Sequence, residues 1–207
     1  MAVYAFVFPG QGSQSVGMGQ DLAQAFSSAR TVFEEVDDAL GENLSKIIFE
    51  GPADNLTSTE NTQPALMAVS MAVLRVLETE GGLDLASTAT LLAGHSLGEY
   101  AALAAARSLG VAQTAKLLRL RGQAMQKAVP AGEGGMAALI GATLEQAEDI
   151  ATQASQTALV EIANDNGGGQ IVLSGRMAGI DAAIALAKEL KIKRAVKLPV
   201  SAPFHSS

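Results

Sequence analysis

A chain of 207 residues, 48% of them hydrophobic, is long enough to bury a substantial core as one domain, or as one domain with a smaller insert. Its 14 basic and 21 acidic residues give a net charge of −7, which argues against a general affinity for nucleic acid or anionic membranes. The absence of cysteine excludes disulfides and thiolate chemistry and fits a reducing compartment, so we expect a cytoplasmic protein.

The first predicted element is a buried strand. Residues 3–8 are apolar and rich in β-branched and aromatic types, and they lack the basic start of a signal peptide. A glycine loop follows, in which a dinucleotide-binding fingerprint would need a third glycine where Ser15 stands. Ligands of α/β sheets gather at the carboxyl ends of strands, so Gln11 in this loop is a candidate site residue.

The segment between this loop and the next strand is predicted to be mostly helical. Residues 17–50 have apolar residues at helical spacing, whereas residues 51–63 are polar and are predicted to form a connection. Thr62 is the predicted cap of a helix with Pro64 in its early turn, ending at Gly81-Gly82.

The second predicted strand, residues 88–93, leads into the motif G-x-S-x-G. This pattern is typical of a sharp strand-to-helix turn with the serine at its tip, which makes Ser96 a candidate nucleophile. The backbone N–H of Leu97 would lie at the start of the following helix, where unsatisfied amides and the helix dipole favour an oxyanion. The alternative is that the motif arises by chance in a chain with 21 glycines.

Two arginines lie on the next predicted helix, residues 112–128. We expect Leu117, Leu120, Ala124 and Met125 to face inward. Arg119 and Arg121 are two positions apart and cannot both face one pocket, because about 200° separates them around the helix axis. An arginine in the pocket of the serine would bind a carboxylate with its planar guanidinium group.

The composition shifts at residues 129–135. Beyond this loop the pattern predicts the order β-α-β-β-α-β, which is the ferredoxin-like arrangement, with a hairpin at residues 164–169. We therefore predict a subdomain at residues 130–198, inserted into a larger α/β domain made of residues 1–129 and 199–207.

The chain contains two histidines. His95 directly precedes the serine, where neighbouring side chains point in different directions, so His205 is the better candidate for a general base. The order of serine before histidine is one that α/β enzymes with a nucleophile elbow use. No acidic residue lies within five positions of His205, and a loop histidine without function is the alternative.

Four motifs together resemble the malonyl-CoA:acyl carrier protein transacylases of type II fatty acid synthesis and the acyltransferase domains of polyketide and fatty acid synthases. They are Phe8-Pro-Gly-Gln-Gly-Ser-Gln14, Gly94-His-Ser-Leu-Gly-Glu-Tyr100, Arg121-Gly-Gln-Ala-Met-Gln126 and Pro203-Phe-His205. The similarity covers the entire chain, including the insert. It implies a parallel-sheet, α/β-hydrolase-like larger domain with a nucleophile elbow.

The resemblance also implies roles for individual residues. Ser96 would be the acylated nucleophile and His205 the general base, with Arg121 binding the malonyl carboxylate. The backbone amides of Gln11 and Leu97 would form the oxyanion hole. In related domains the residue before the base is often phenylalanine when malonyl is the substrate, which makes Phe204 a candidate for selectivity.

The implied reaction is a ping-pong transfer between malonyl-CoA and acyl carrier protein, without a further cofactor, a metal, nucleic acid or a membrane. A serine esterase or thioesterase with the same elbow, a polyketide acyltransferase domain and an inactive fragment are the alternatives. Members of the family continue well past the histidine, whereas this chain ends at Ser207, so we expect the C-terminal part of the larger domain to be absent.

Overall fold

The computed structural model describes residues 3–130, 132–198, 200 and 202–207. Residues 131, 199 and 201, which fall in the predicted loop and in the predicted return to the larger domain, lie outside the described residues. The chain divides into two compact units, Met1–Ala124 and Met125–Ser207. The predicted boundaries at 129/130 and 198/199 differ from this division and stay a prediction.

The first unit contains a pair of parallel strands and a set of helices. Its elements are β1 (Tyr4–Phe8), α1 (Gln20–Ala25), α2 (Ser27–Leu40), α3 (Leu44–Glu50), α4 (Ala53–Thr57), α5 (Thr59–Thr79), α6 (Leu85–Thr88), β2 (Ala89–Gly94), α7 (Gly98–Ala105) and α8 (Val111–Ala128), the last of which continues past Ala124. In the parallel pair, Phe8 lies opposite Gly94. Because parallel strands end at the same edge, the glycine loop after β1 and the turn after β2 begin side by side.

The core of this unit is built around α5. This helix buries apolar residues on much of its circumference, including Ala65, Met67 and Ala72. It packs against α2, whose buried residues Ala29, Val32, Phe33 and Val36 have the spacing of one helix face. The helices predicted from residues 17–50 are therefore confirmed, and they pack against α5.

The predicted polar connection at residues 51–63 is wrong. This segment forms α4 and the first turns of α5, and α5 begins at Thr59 instead of after Thr62. Thr59, Thr62 and Gln63 are almost completely buried. A polar composition indicates a loop only when water supplies the hydrogen bonds, and here partners from other elements supply them.

The predicted inward face of α8 is wrong for Leu117, Leu120 and Ala124, which are exposed, whereas Met125 is partly buried and packs against a core cluster. The residues that the helix buries are Val111, Thr114, Ala115, Leu118 and Gly122, whereas Leu120 is 63% exposed. At Gly122 this face lies against the backbone of Thr59 and Glu60, which leaves no room for a side chain. Three of the four residues predicted to face inward therefore lie on the opposite side of the helix.

The second unit is built on an antiparallel sheet. Its elements are β3 (Gly134–Ile140), α9 (Leu144–Ala154), β4 (Val160–Asp165), β5 (Gln170–Arg176), α10 (Met177–Glu189) and β6 (Arg194–Lys197), and the strand order is β4-β5-β3-β6. The predicted order of elements is confirmed. The bounds predicted for α9 agree with the structure, where Thr143 and Gln146 form a capping box.

The two faces of this sheet contact different parts of the unit. Leu139 and Leu173 point toward a core that includes Ile150 of α9 and Ile180 of α10. Residues that alternate with them, Met136 and Val172, form a separate cluster with Ala202 and Phe204.

The class of the chain is α/β, with one parallel and one antiparallel sheet, and the predicted class is confirmed. None of the helices in the described part of the chain has the length and apolar character that crossing a membrane requires.

Candidate active site

The turn after β2 has the geometry that the motif predicts for a nucleophile. Ser96 has a φ of 55°, in the left-handed region that residues with a side chain rarely adopt. A Cβ on Gly94 would collide with the backbone of Gly98, and a Cβ on Gly98 would collide with the carbonyl oxygen of Phe8. The glycines are therefore required because strand, turn and helix approach at backbone distance.

The backbone around the serine is held by short-range hydrogen bonds. The N–H of His95 donates to the carbonyl oxygen of Phe8 at 3.0 Å, and the N–H of Gly98 donates to that of His95 at 2.9 Å. Leu97 is the N-cap of α7 and is 1% exposed. Its amide lies at the positive end of the helix dipole, where negative charge is stabilised.

Arg121 contacts the candidate nucleophile directly. Its Nη2 donates to the Ser96 Oγ at 3.1 Å and its Nη1 donates to the Gln63 Oε1 at 2.6 Å. The guanidinium carbon lies 5.8 Å from the centroid of the Tyr100 ring, within the range of a cation–π contact. Burial lowers the pKa of Arg121, while Tyr100 and Glu99 raise it, and an arginine keeps its charge at neutral pH.

Arg119 has different partners, as its position on the helix predicts. It donates to the side chain of Asn61 and forms an ion pair with Glu42. Of the two arginines, Arg121 is thus the one that the structure places against Ser96.

Gln63 and Thr59, which no sequence motif indicates, connect Arg121 to the glycine loop. The Gln63 Nε2 donates to the Thr59 Oγ1 at 2.9 Å, and the Thr59 Oγ1 donates to the Gln11 Oε1 at 2.9 Å. The first five residues of α5 are all polar, so the sequence pattern alone does not single out these two.

His205 and Phe204 belong to the second unit. His205 has a φ of 59° and is exposed, while Phe204 is 9% exposed and packs against Met136 and Val172. Hydrogen bonds from the backbone and side chain of Ser207 hold the pKa of Glu161 below its ordinary value. The structure thus brings Ser96 and Arg121 together in the first unit, and the roles of His205 and Phe204 stay predictions.

No group of three or more His, Cys, Asp or Glu side chains in the described ranges is placed to hold a metal ion. The groups available at Ser96 are a hydroxyl, a guanidinium, carboxamides and backbone amides. These groups suit acyl transfer to serine, with a cation beside the oxygen that would carry the acyl group.

Comparisons with known proteins agree with this chemistry. Residues 5–207 match the family described as acyl transferase domain. The chain is 46% identical over its entire length to the malonyl CoA-acyl carrier protein transacylase of Bacillus subtilis, of which it covers 64%.

Solved structures give the same relationship. The acyl-carrier-protein-S-malonyltransferase of Bartonella henselae is 58% identical with a TM-score of 0.97, and the match covers 100% of this chain and 65% of that one. A malonyl-transacylase solved in complex with a type II PKS acyl-carrier protein is 41% identical with a TM-score of 0.92, over 98% of this chain and 64% of that one. The chain therefore spans just under two thirds of the length of these relatives. On the match over residues 5–207, it belongs to the acyl transferase domain family.

Proposed function

We propose that this protein transfers a malonyl group from coenzyme A to the phosphopantetheine thiol of acyl carrier protein, in fatty acid biosynthesis, through a malonyl-Ser96 intermediate. The observation that carries the proposal is the contact of 3.1 Å between the Arg121 guanidinium and the Ser96 Oγ. A cation at this position suits an acyl group that ends in a carboxylate. The similarity to malonyl transacylases supports the same substrate.

In the first half-reaction, His205 accepts the proton of the Ser96 hydroxyl and the oxygen attacks the thioester carbon. The carbon–sulfur bond then breaks, and coenzyme A leaves as the thiol with the proton from His205. In the second half-reaction, the carrier thiol gives its proton to His205 and its sulfur attacks the malonyl ester. The ester bond breaks and Ser96 recovers its proton.

The oxyanion in both steps is bound by the backbone amides of Gln11 and Leu97. The adjacent carboxyl ends of β1 and β2 support this assignment, since both residues follow this edge within three positions. Arg121 binds the malonyl carboxylate with two parallel donors, an arrangement that an uncharged acetyl group cannot use.

The finer description of the fold is part of the same proposal. We assign an α/β-hydrolase-like elbow to the first unit, supported by the φ of Ser96 and the tight contacts of Gly94 and Gly98. We assign a ferredoxin-like fold to the second unit, supported by the strand order β4-β5-β3-β6.

The reaction needs no cofactor besides the coenzyme A thioester, and neither nucleic acid nor a membrane is a partner. We propose that it takes place in the cytoplasm.

The test is to incubate the protein with malonyl-CoA and locate the added mass by mass spectrometry of its peptides. We expect a malonyl group on the peptide that contains Ser96, and none in Ser96→Ala. Ser108→Ala, which removes an exposed serine, is the control and should label normally. Labelling that persists in Ser96→Ala would contradict the proposal.

A carrier protein of polyketide synthesis is the second candidate acceptor, because one relative was solved with such a carrier. Transfer of the malonyl group to purified carriers of the two types separates these candidates. A serine esterase would instead release free malonate as fast as the ester forms.

A further inference from the structure

The polar side chains behind the candidate nucleophile form one continuous chain of hydrogen bonds. The chain runs from Ser96 through Arg121, Gln63 and Thr59 to Gln11, with donor–acceptor distances between 2.6 and 3.1 Å. It therefore joins the group proposed to bind the carboxylate to the loop proposed to bind the oxyanion. Thr59 is its central member, and the reaction proposed above assigns it no role.

The direction of each hydrogen bond follows from the chemistry of arginine. A guanidinium can only donate, so the Gln63 atom that faces Arg121 is the carbonyl oxygen. The Gln63 amide nitrogen then faces Thr59 and donates to its hydroxyl oxygen. The Thr59 hydroxyl hydrogen is left to donate to the Gln11 carbonyl oxygen. The charge of Arg121 thus sets the orientation of both carboxamides.

Burial makes this chain sensitive to the loss of one hydroxyl. Thr59 is 2% exposed and Gln63 is 1% exposed. Without the Thr59 hydroxyl, the Gln63 amide would lose this acceptor, and the loss of a hydrogen bond costs free energy in a buried site. Rotation of the Gln63 carboxamide would turn its N–H group toward Arg121, where two donors would face each other.

Close backbone packing holds Thr59 in place. A Cβ on Gly122, the residue after Arg121, would come within 2.8 Å of the Thr59 carbonyl oxygen. The start of α5 therefore lies against α8 at the position of the arginine. A short side chain at residue 59 is enough to reach Gln63 and Gln11 at the same time.

We propose that Thr59 is a positioning residue that holds Gln63, and through it Arg121, in the orientation that selects an acyl group with a carboxylate. The inference rests on the proposed function, since it concerns the same reaction. Thr59 does not contact the substrate, and its effect passes through Arg121.

The test is the ratio of malonyl to acetyl groups loaded on Ser96 from an equal mixture of the two coenzyme A thioesters. Thr59→Val keeps the shape and removes the hydroxyl, and we expect it to lower the ratio by about 3- to 10-fold, the effect of one hydrogen bond. Thr59→Ser keeps the hydroxyl and should retain a ratio within about twofold of the wild type.

Two comparisons separate positioning from a general effect on stability. Thr62→Val removes another buried hydroxyl of α5. This hydroxyl donates to the carbonyl oxygen of Leu56 and is not part of the chain of hydrogen bonds from Ser96 to Gln11. It should lower the melting temperature without changing the ratio. In an Arg121→Ala background, Thr59→Val should not change the ratio further, because the residue through which it acts is absent.

The inference is wrong if Thr59→Val leaves the ratio unchanged, if Thr59→Ser loses as much as Thr59→Val, or if Thr62→Val lowers the ratio equally. A change of the same size in the Arg121→Ala background would also overturn it. A wild-type protein that malonyl-CoA does not label would overturn the proposed function and this inference together. Labelling of the wild type with an unchanged ratio in Thr59→Val overturns this inference alone.

Discussion

Arg119 and Arg121 show how two positions on one helix lead to different chemistry. Arg121 lies against Ser96, whereas Arg119 bonds Asn61 and Glu42. We predict that Arg121→Ala shifts the preference from malonyl toward acetyl by about 30-fold or more, since a charged, partly buried pair contributes about 2 to 4 kcal/mol. The measurement is kcat/KM for loading from each thioester.

Arg119→Ala is the matched control for this prediction. It removes the ion pair between Arg119, on the same helix, and Glu42. It should therefore lower stability and leave the malonyl-to-acetyl ratio unchanged. Equal ratios in the two variants would show that the carboxylate binds elsewhere.

The proposed role of Phe204 in substrate selectivity can also be tested with a single substitution. We predict that its ring leaves no volume for a branch at the α-carbon of the acyl group, so that malonyl is preferred to methylmalonyl by roughly 10- to 200-fold. Phe204→Ser should reduce this preference in a competition between the two thioesters.

The packing of Phe204 against Met136 and Val172 adds a cost in stability. Truncation of a buried phenylalanine costs about 3 kcal/mol or more, so the melting temperature should be measured with the selectivity. If the variant folds and its preference for malonyl over methylmalonyl is unchanged, the role of Phe204 is limited to packing.

Among the elements, the strand-turn-helix unit from β2 to α7 depends on glycines at two positions of close backbone approach, Gly94 and Gly98. We predict that Gly98→Ala lowers stability by about 3 kcal/mol or more, because the added methyl group meets the backbone of Phe8, which cannot rotate away. Thermal unfolding measures this loss. Gly110→Ala is the control, since a Cβ at Gly110 meets no atom within 4 Å of it. Similar melting temperatures for the two variants would contradict the close packing described here.

For the whole molecule, the distribution of charge indicates where the proposed carrier protein would approach. Residues 186–198 have a local charge of +4 in a chain of −7, carried by Lys188, Lys191, Lys193, Arg194 and Lys197 against Glu189. Lys197 forms an ion pair with Asp181 at 2.6 Å, while Lys191 and Lys193 are exposed. We therefore expect the two exposed lysines to steer an acidic partner.

Reversal of both charges, in Lys191→Glu with Lys193→Glu, should raise the KM for carrier protein and weaken its dependence on salt. Loading from malonyl-CoA should be unchanged. The double variant Lys46→Glu with Lys116→Glu alters the net charge equally at exposed sites elsewhere and is the control. Equal effects of the two double variants, or equal effects on both half-reactions, would contradict steering.

Local sequence patterns are sufficient to predict several secondary-structure elements of this protein and the turn at Ser96. The capping box at Thr143 and the apolar spacing that follows it specify α9 within one segment, and the bounds could be predicted. The G-x-S-x-G motif predicts the turn at Ser96 and its left-handed serine, while the need for glycine at position 98 also depends on the distant carbonyl oxygen of Phe8. The order of elements in the second unit follows from the same kind of pattern.

Other features of the fold and of the site depend on contacts between residues that lie far apart in the chain. Residues 53–57 and 59–63 are helical, and Thr59 and Gln63 are buried with hydrogen bonds to Gln11 and Arg121, which lie 48 and 58 positions away. The choice of Arg121 over Arg119, and of Leu118 over Leu120 as the buried residue of α8, likewise depends on which face α5 covers. Composition and periodicity contain no information about such partners, since a buried hydrogen bond and a solvated one require the same residue types.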